Sequence, residues 1–185
     1  GKTDIKLTSI GFGGAPLGNL FEELNETHCF DIVKSCFENN INLYDTSPLY
    51  GYGLSEHRIG NFIKTIDPKS YYLSTKVGRY LTPERNYYKD GKFKGHINFI
   101  PHFDYSYDGV MRSFDQSIHR LAVPEIDICL IHDVDRYTFG NEVDHYFKIA
   151  MNGAYKALND LKEQKVIKAI GVGLNDADIL SLIHI

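Results

Sequence analysis

Short β-type runs alternate with stretches of helical period through five units of the chain, and this rhythm restricts the fold more than any other feature of the sequence. Leu7 to Phe12 is a brief apolar run closed by Gly13 and Gly14, after which Phe30, Val33, Cys36 and Phe37 recur at helical spacing. Ile41 to Asp45 reads as a second strand, Ile59, Phe62, Ile63 and Ile66 as one helix face, and Tyr71 to Lys76 as a third strand. Val110, Met111, Phe114, Ile118 and Leu121 predict an amphipathic helix ahead of the apolar strand Ile126 to Ile131. Met151, Ala154, Tyr155, Leu158 and Leu161 predict another helix, and Lys168 to Val172 a fifth strand. Strands joined by helical crossovers run parallel, which leaves an open doubly wound sheet or a (β/α)8 barrel. Periodicity does not separate the two. The polar residues do help, because barrel enzymes place reactive groups at the C-terminal ends of several strands. Asp45, Lys76, His132 and the segment Gly173 to Asn175 end four of the strands here.

Composition excludes several classes. With 43% hydrophobic residues and a net charge of -4 over 185 residues, the chain has enough apolar side chains for a core, and disorder is not expected. Residues 1–185 read as a single domain without a linker, repeat or low-complexity run. The mild acidity and the lack of any basic run longer than two residues argue against a nucleic-acid partner. No stretch approaches the roughly 20 apolar residues of a spanning helix, and the first residues lack a signal-peptide core, so no membrane partner is expected. Cys29, Cys36 and Cys129 are odd in number, form no CxxC pair and lie within apolar patterns. They read as inert thiols of a cytoplasmic protein, with no metal site. Asn25-Glu26-Thr27 matches a glycosylation acceptor but reads better as the polar entry to a helix.

Two segments stand apart. Arg79 to Asp104 is a long connection without helical period, rich in aromatic and charged residues, of the kind that forms lids or binding loops. Gly91 to Gly95 is expected to form a small hairpin within it. Gly11-Phe12-Gly13 begins like a dinucleotide-binding GxGxxG, but Pro16 occupies the sixth position, no helix begins there, and no acidic residue clearly ends a second strand about 20 residues on. A Rossmann site is therefore rejected.

Asp45-Thr46-Ser47-Pro48-Leu49-Tyr50-Gly51, followed by Ser55-Glu56 and Gly60, resembles the DT(A/S)xxYGxxE signature of the aldo-keto reductases. Ser74-Thr75-Lys76, Ile126 to His132 and Ile167 to Gly173 match further family segments in the same order. Ile10 to Gly18 and Phe103 to Gly109 resemble more narrowly the aldose dehydrogenase branch, which includes L-fucose, D-galactose and D-threo-aldose dehydrogenases. The resemblance implies a (β/α)8 barrel and hydride transfer between NAD or NADP and a small sugar or carbonyl substrate. Carried over by motif, Tyr50 is the general acid/base, Lys76 its electrostatic partner, Asp45 the carboxylate paired with Lys76, and His132 the group orienting the substrate oxygen. Gly13, Gly14, Ala15, Asp45 and Asn175 would face the cofactor, with Asn175 one residue displaced from the family's GVSN pattern. These residue types suit the task. A free phenol titrates near 10, so a neighbouring ammonium is needed to favour the phenolate, and a buried ammonium in turn needs an anion.

Each residue also has a structural reading. A strand-end Asp often caps a helix, and most of the 13 tyrosines pack. Tyr52 is a rival proton donor, Tyr44 is expected to pack within its strand, His57 to lie on a helix face, and His102, His119 and His145 to be structural or at the surface. A complete barrel usually takes about 250 residues, so the chain is expected to hold five units, incomplete at its C-terminus and unstable or aggregation-prone alone. The leading expectation is oxidation of an aldose to its lactone. Reduction of small aldehydes by the same residues and a non-catalytic, cofactor-holding subunit are the alternatives.

Overall fold

The computed structural model describes residues 3–86, 91–176 and 180. Its elements run β1 (Phe12–Gly13), α1 (Glu26–Glu38), β2 (Leu43–Asp45), α2 (Leu54–Ile63), β3 (Tyr72–Val77), β4 (Arg79–Pro83), β5 (Phe99–Phe103), α3 (Tyr107–Leu121), β6 (Ile128–His132), α4 (Arg136–Phe139), α5 (Val143–Asn152), α6 (Ala154–Glu163) and β7 (Ala169–Gly173).

Strand order separates the two architectures that periodicity left open. β1, β2, β3, β6 and β7 form one parallel sheet in that order, each pairing with the next in the chain after setting aside β4 and β5. A doubly wound sheet reverses its order at a switch point, whereas a barrel does not. The helices follow the same sequence, α1 on α2, α2 on α3 and α3 on α6. They therefore cover one face of an arc belonging to a (β/α)8 barrel, with the five strands forming its inner wall.

Local chemistry sets these boundaries. Asn25 Oδ1 accepts from the N–H groups of Thr27 and His28 and so starts α1. Ser106 Oγ accepts from Gly109 N–H to start α3, which ends at Ala122 with φ 53°. Within β3 the period-two alternation sorts side chains: Leu73 and Val77 join the core and Thr75 reaches Glu56 of α2, while Ser74 and Lys76 turn towards Asp45. Where α2 crosses the end of α3, Gly60 lies so close that a Cβ on it would stand 2.3 Å from Leu121 O.

Four expectations are corrected. The run Leu7 to Phe12 contributes only Phe12 to a strand, and Thr8 bonds the Asn42 side chain instead of a ladder. The supposed loop Arg79 to Asp104 carries the antiparallel ribbon β4–β5. Pro101 is tolerated there because it faces Leu81, whose N–H and C=O both turn outward to the Gln116 side chain. Gly91 to Gly95 does not pair with itself. Phe93 bridges to Leu20, with Lys92 O and Lys94 N–H bonded to Phe21 and Asn19 of the first βα loop. The pattern Met151 to Leu161 spans two helices, broken at Gly153, where a Cβ would meet Tyr105 O at 2.3 Å. Of the terminal run Leu180 to Ile185, all but Leu180 lies outside the described residues.

Candidate active site

Strand ends β2, β3, β6 and β7 meet at one rim of the sheet. Asp45, the last residue of β2, has both carboxylate oxygens engaged: Ser74 Oγ donates to Oδ1 at 2.8 Å and Lys76 Nζ to Oδ2 at 2.5 Å. Lys76 is 5% exposed and also donates to Thr46 O at 2.9 Å. A buried ammonium without such acceptors would be costly, and this one has a carboxylate and a carbonyl. Its Nζ lies 4.8 Å from the centre of the Tyr50 ring.

Tyr50 sits on the turn that follows β2, and two glycines put it there. A Cβ on Gly18 would stand 2.4 Å from Tyr50 C, and one on Gly51, at φ 62°, would stand 2.6 Å from Gly18 O. Only side-chain-free residues let the first βα loop lie against this turn. The Tyr50 ring meets Phe93 at 6.2 Å and the edge of His132 at 6.0 Å between centroids. Its hydroxyl makes no hydrogen bond to the described residues. Tyr52, the rival donor, turns instead to His96 at 4.3 Å.

His132 ends β6. Ser47 Oγ lies 3.1 Å from its Nδ1, and Tyr105 OH donates to its backbone carbonyl at 2.5 Å. Burial first, then the charges of Arg79 and Lys76, holds the imidazole pKa well below the ordinary 6.5, so the ring is neutral at neutral pH. The next residue, Asp133, has φ 54° and directs Oδ1 to 3.5 Å from His132 Nε2. Arg79 Nη2 donates to its Oδ2 at 2.7 Å while the guanidinium stacks on Phe103 at 4.0 Å.

The structure brings Asp45, Tyr50, Lys76 and His132 together. The expected cofactor contacts are more varied. Gly13 is exposed, and a Cβ on it would meet nothing within 4 Å. Gly14 is buried, and its lack of a side chain is explained by packing: a Cβ would meet Ser55 Oγ at 2.7 Å and Asp45 O at 2.8 Å. Ala15 opens the short 3-10 helix Ala15–Gly18. Asn175 donates its Nδ2 to Asp133 Oδ1 at 2.9 Å and its N–H to Asp135 Oδ2 at 2.6 Å, leaving Oδ1 as an acceptor. Tyr44 is buried in the core, and His57 lies exposed on α2, as expected.

Sequence reasoning missed Ser47, Arg79 and Asp133. Ser47 lay inside the motif without a role, and Asp133 directly follows a strand-end histidine with Asp135 two residues further on, a carboxylate pair that was a usable signal. Arg79 carried none, since its partner lies 54 positions away.

A parallel barrel arc gathers at its strand ends a tyrosine, a lysine–aspartate pair and a neutral histidine. The profile of the Aldo/keto reductase family matches residues 9–184, and the chain belongs to that family. It is 36% identical to pyridoxal 4-dehydrogenase of Microbacterium luteolum, over 97% of this chain and 56% of that protein. It is 31% identical to D-threo-aldose 1-dehydrogenase of a Pseudomonas species, over 96% and 53%, and 32% identical to L-galactose dehydrogenase of Arabidopsis thaliana, over 99% and 50%. The chain thus spans about half the length of the curated relatives it matches. Among solved structures, an aldo-keto reductase of Bacillus halodurans in its holo form superimposes with a TM-score of 0.70 at 24% identity, over 98% of this chain and 51% of that one. That likeness shows the fold. Among the described residues, no helix is long and apolar enough to cross a membrane. Aldo/keto reductases generally use NAD(P)(H).

Proposed function

We propose that this chain carries the proton-transfer site of an NAD(P)-dependent oxidoreductase that oxidises an aldose at its anomeric carbon to the lactone. One observation carries the reading: Lys76, ion-paired to Asp45 at 2.5 Å, stands 4.8 Å from the Tyr50 ring centre, and His132 meets the same ring edge-on. The residues present suit a nicotinamide, which would be held through the open approach at Gly13 and the Asn175 Oδ1 acceptor, with Gly14 and Ala15 shaping the loop. A bound nicotinamide would supply the hydride acceptor for oxidation and the hydride donor for reduction.

The chain's own residues manage the proton and the charge. Tyr50 takes the proton of the anomeric hydroxyl as the C–H bond breaks, and donates one to the carbonyl oxygen in the reverse direction. Lys76 offsets the negative charge on the phenolate oxygen, and Asp45 holds Lys76 in place as its counter-ion. Neutral His132 donates a hydrogen bond to the reacting oxygen without competing for its proton. The sugar-oxidising relatives at 31% and 32% identity support an aldose. Phe93 beside Tyr50, together with the 36% identity to pyridoxal 4-dehydrogenase, favours a second reading in which an aromatic aldehyde or its cyclic hemiacetal is the substrate.

The test is Tyr50→Phe assayed on L-fucose, D-galactose and pyridoxal with NAD and with NADP, alongside cofactor titration. Turnover should fall by roughly 100-fold or more with cofactor affinity kept. Undiminished turnover would remove Tyr50 from the mechanism, and the preferred substrate chooses between the two readings.

A further inference from the structure

Asp133 takes no part in the proton transfer above, yet the fold holds it beside the reacting position. Its backbone is left-handed at φ 54°, a conformation that is uncommon for a residue with a side chain and that clusters at functional sites. The backbone N–H is tied to Gly173 O at 2.8 Å. Arg79 from β4 holds Oδ2 at 2.7 Å, and Asn175 beyond β7 holds Oδ1 at 2.9 Å. Two side chains from separate parts of the chain therefore fix one carboxylate, and β7 holds its backbone.

Support for His132 does not account for this arrangement. Ser47 already ties Nδ1, Tyr105 ties the carbonyl, and the 3.5 Å between Asp133 Oδ1 and His132 Nε2 is too long for a good hydrogen bond. A carboxylate offers about four acceptor positions, and the two bonds from Arg79 and Asn175 leave capacity unused. The free capacity lies next to Nε2, the nitrogen that faces the reacting oxygen if the reading above holds. A sugar places its next hydroxyl beside that oxygen.

We propose that Asp133 is a specificity-determining residue, accepting a hydrogen bond from the hydroxyl on the carbon adjacent to the reacting one. The inference rests on the proposed role of His132 and narrows the substrate class to 2-hydroxy aldoses over simple aldehydes. The carboxylate selects a donor, so a substituent that only accepts does not satisfy it.

The test uses the full chain loaded with NADH or NADPH, so that sugars bind without being oxidised. D-galactose and L-fucose are titrated by calorimetry beside their 2-deoxy and 2-deoxy-2-fluoro counterparts. The parent sugars should bind roughly 10- to 100-fold tighter than both analogues, since a charge-assisted hydrogen bond is lost in each. In Asp133→Asn, which keeps an acceptor but loses the charge, this ratio should fall several-fold. A fluoro sugar that binds as tightly as its parent overturns the proposal on the unmutated chain, without relying on the variant's folding. So does an unchanged ratio in Asp133→Asn, or an absence of sugar binding. Selective binding without turnover under either oxidised cofactor would uphold Asp133 and reject sugar oxidation; turnover without selectivity would do the reverse.

Discussion

Ser47 Oγ lies 3.1 Å from Nδ1 of His132, joining residues 85 positions apart in the chain. The same oxygen already accepts from Leu49 N–H at 3.1 Å, and its proton has no other acceptor among the described residues. The hydroxyl therefore donates to Nδ1, which places the ring hydrogen on Nε2, where the proposed mechanism needs a donor. In Ser47→Ala the side-chain 15N shifts of His132 should cease to report a single Nε2–H tautomer, and kcat/KM should fall several-fold, the scale of one lost hydrogen bond. Ser47→Thr should restore both. A pyrrole-type Nδ1 signal in the unmutated chain would contradict the assignment.

Burial and the nearby charges of Arg79 and Lys76 make His132 harder to protonate in the folded chain than in the unfolded one. Above about pH 6.5 both states carry a neutral ring and the group adds no pH dependence. Below it, the unfolded chain binds a proton that the folded chain does not, so stability falls with decreasing pH, by up to about 1.4 kcal/mol per unit for this one group. Urea unfolding between pH 8 and pH 5 should show a shallower decline in His132→Gln than in the parent. Parallel curves would mean that His132 protonates as readily in the fold as outside it.

Glu56 is fully buried, accepting from Thr75 Oγ1 at 2.8 Å and from Arg120 Nε at 2.6 Å. This carboxylate ties α2 to β3, next to Lys76, and to α3. Glu56→Gln leaves Arg120 without its counter-charge in a mostly buried position, and the expected loss is about 3 kcal/mol. The urea midpoint measures it, and a shift below a quarter of that size would show that solvent reaches Arg120 readily.

Gly60→Ala sets helix propensity against packing. Alanine is favoured over glycine within a helix by about 1 kcal/mol. A Cβ 2.3 Å from Leu121 O, however, meets backbone that yields only if α2 and α3 separate. Overpacking should win, with a net loss of about 1–3 kcal/mol. A thermal melt above that of the parent would show that the helix crossing is loose.

The candidate residues were legible in the sequence to the extent that three of the four stand at or next to a strand end. Asp45, Lys76 and His132 lie where apolar runs stop, and Tyr50 lies within the matching motif, so position along the chain pointed to the chemistry. Their mutual geometry was not legible. Nothing in the sequence places Ser47 on His132 or Arg79 on Asp133, because such contacts depend on which loops close over the rim. The β4–β5 ribbon was hidden for a local reason. Pro101 lies within it, and only the outward turn of Leu81 to Gln116 makes that proline compatible with a strand.

By itself the sequence determined the alternation of strand and helix, the parallel direction that short crossovers impose, and the residues offered at each strand end. These are local properties, set by side-chain periodicity and by glycine, proline and capping chemistry. Tertiary structure alone decided that the sheet order never reverses, that α2 and α3 meet through Gly60, and that Asp133 is held in a left-handed turn by partners 54 and 42 positions away. Such contacts form only when distant segments are packed together, where the free energy of burying polar groups depends on every partner arriving at once.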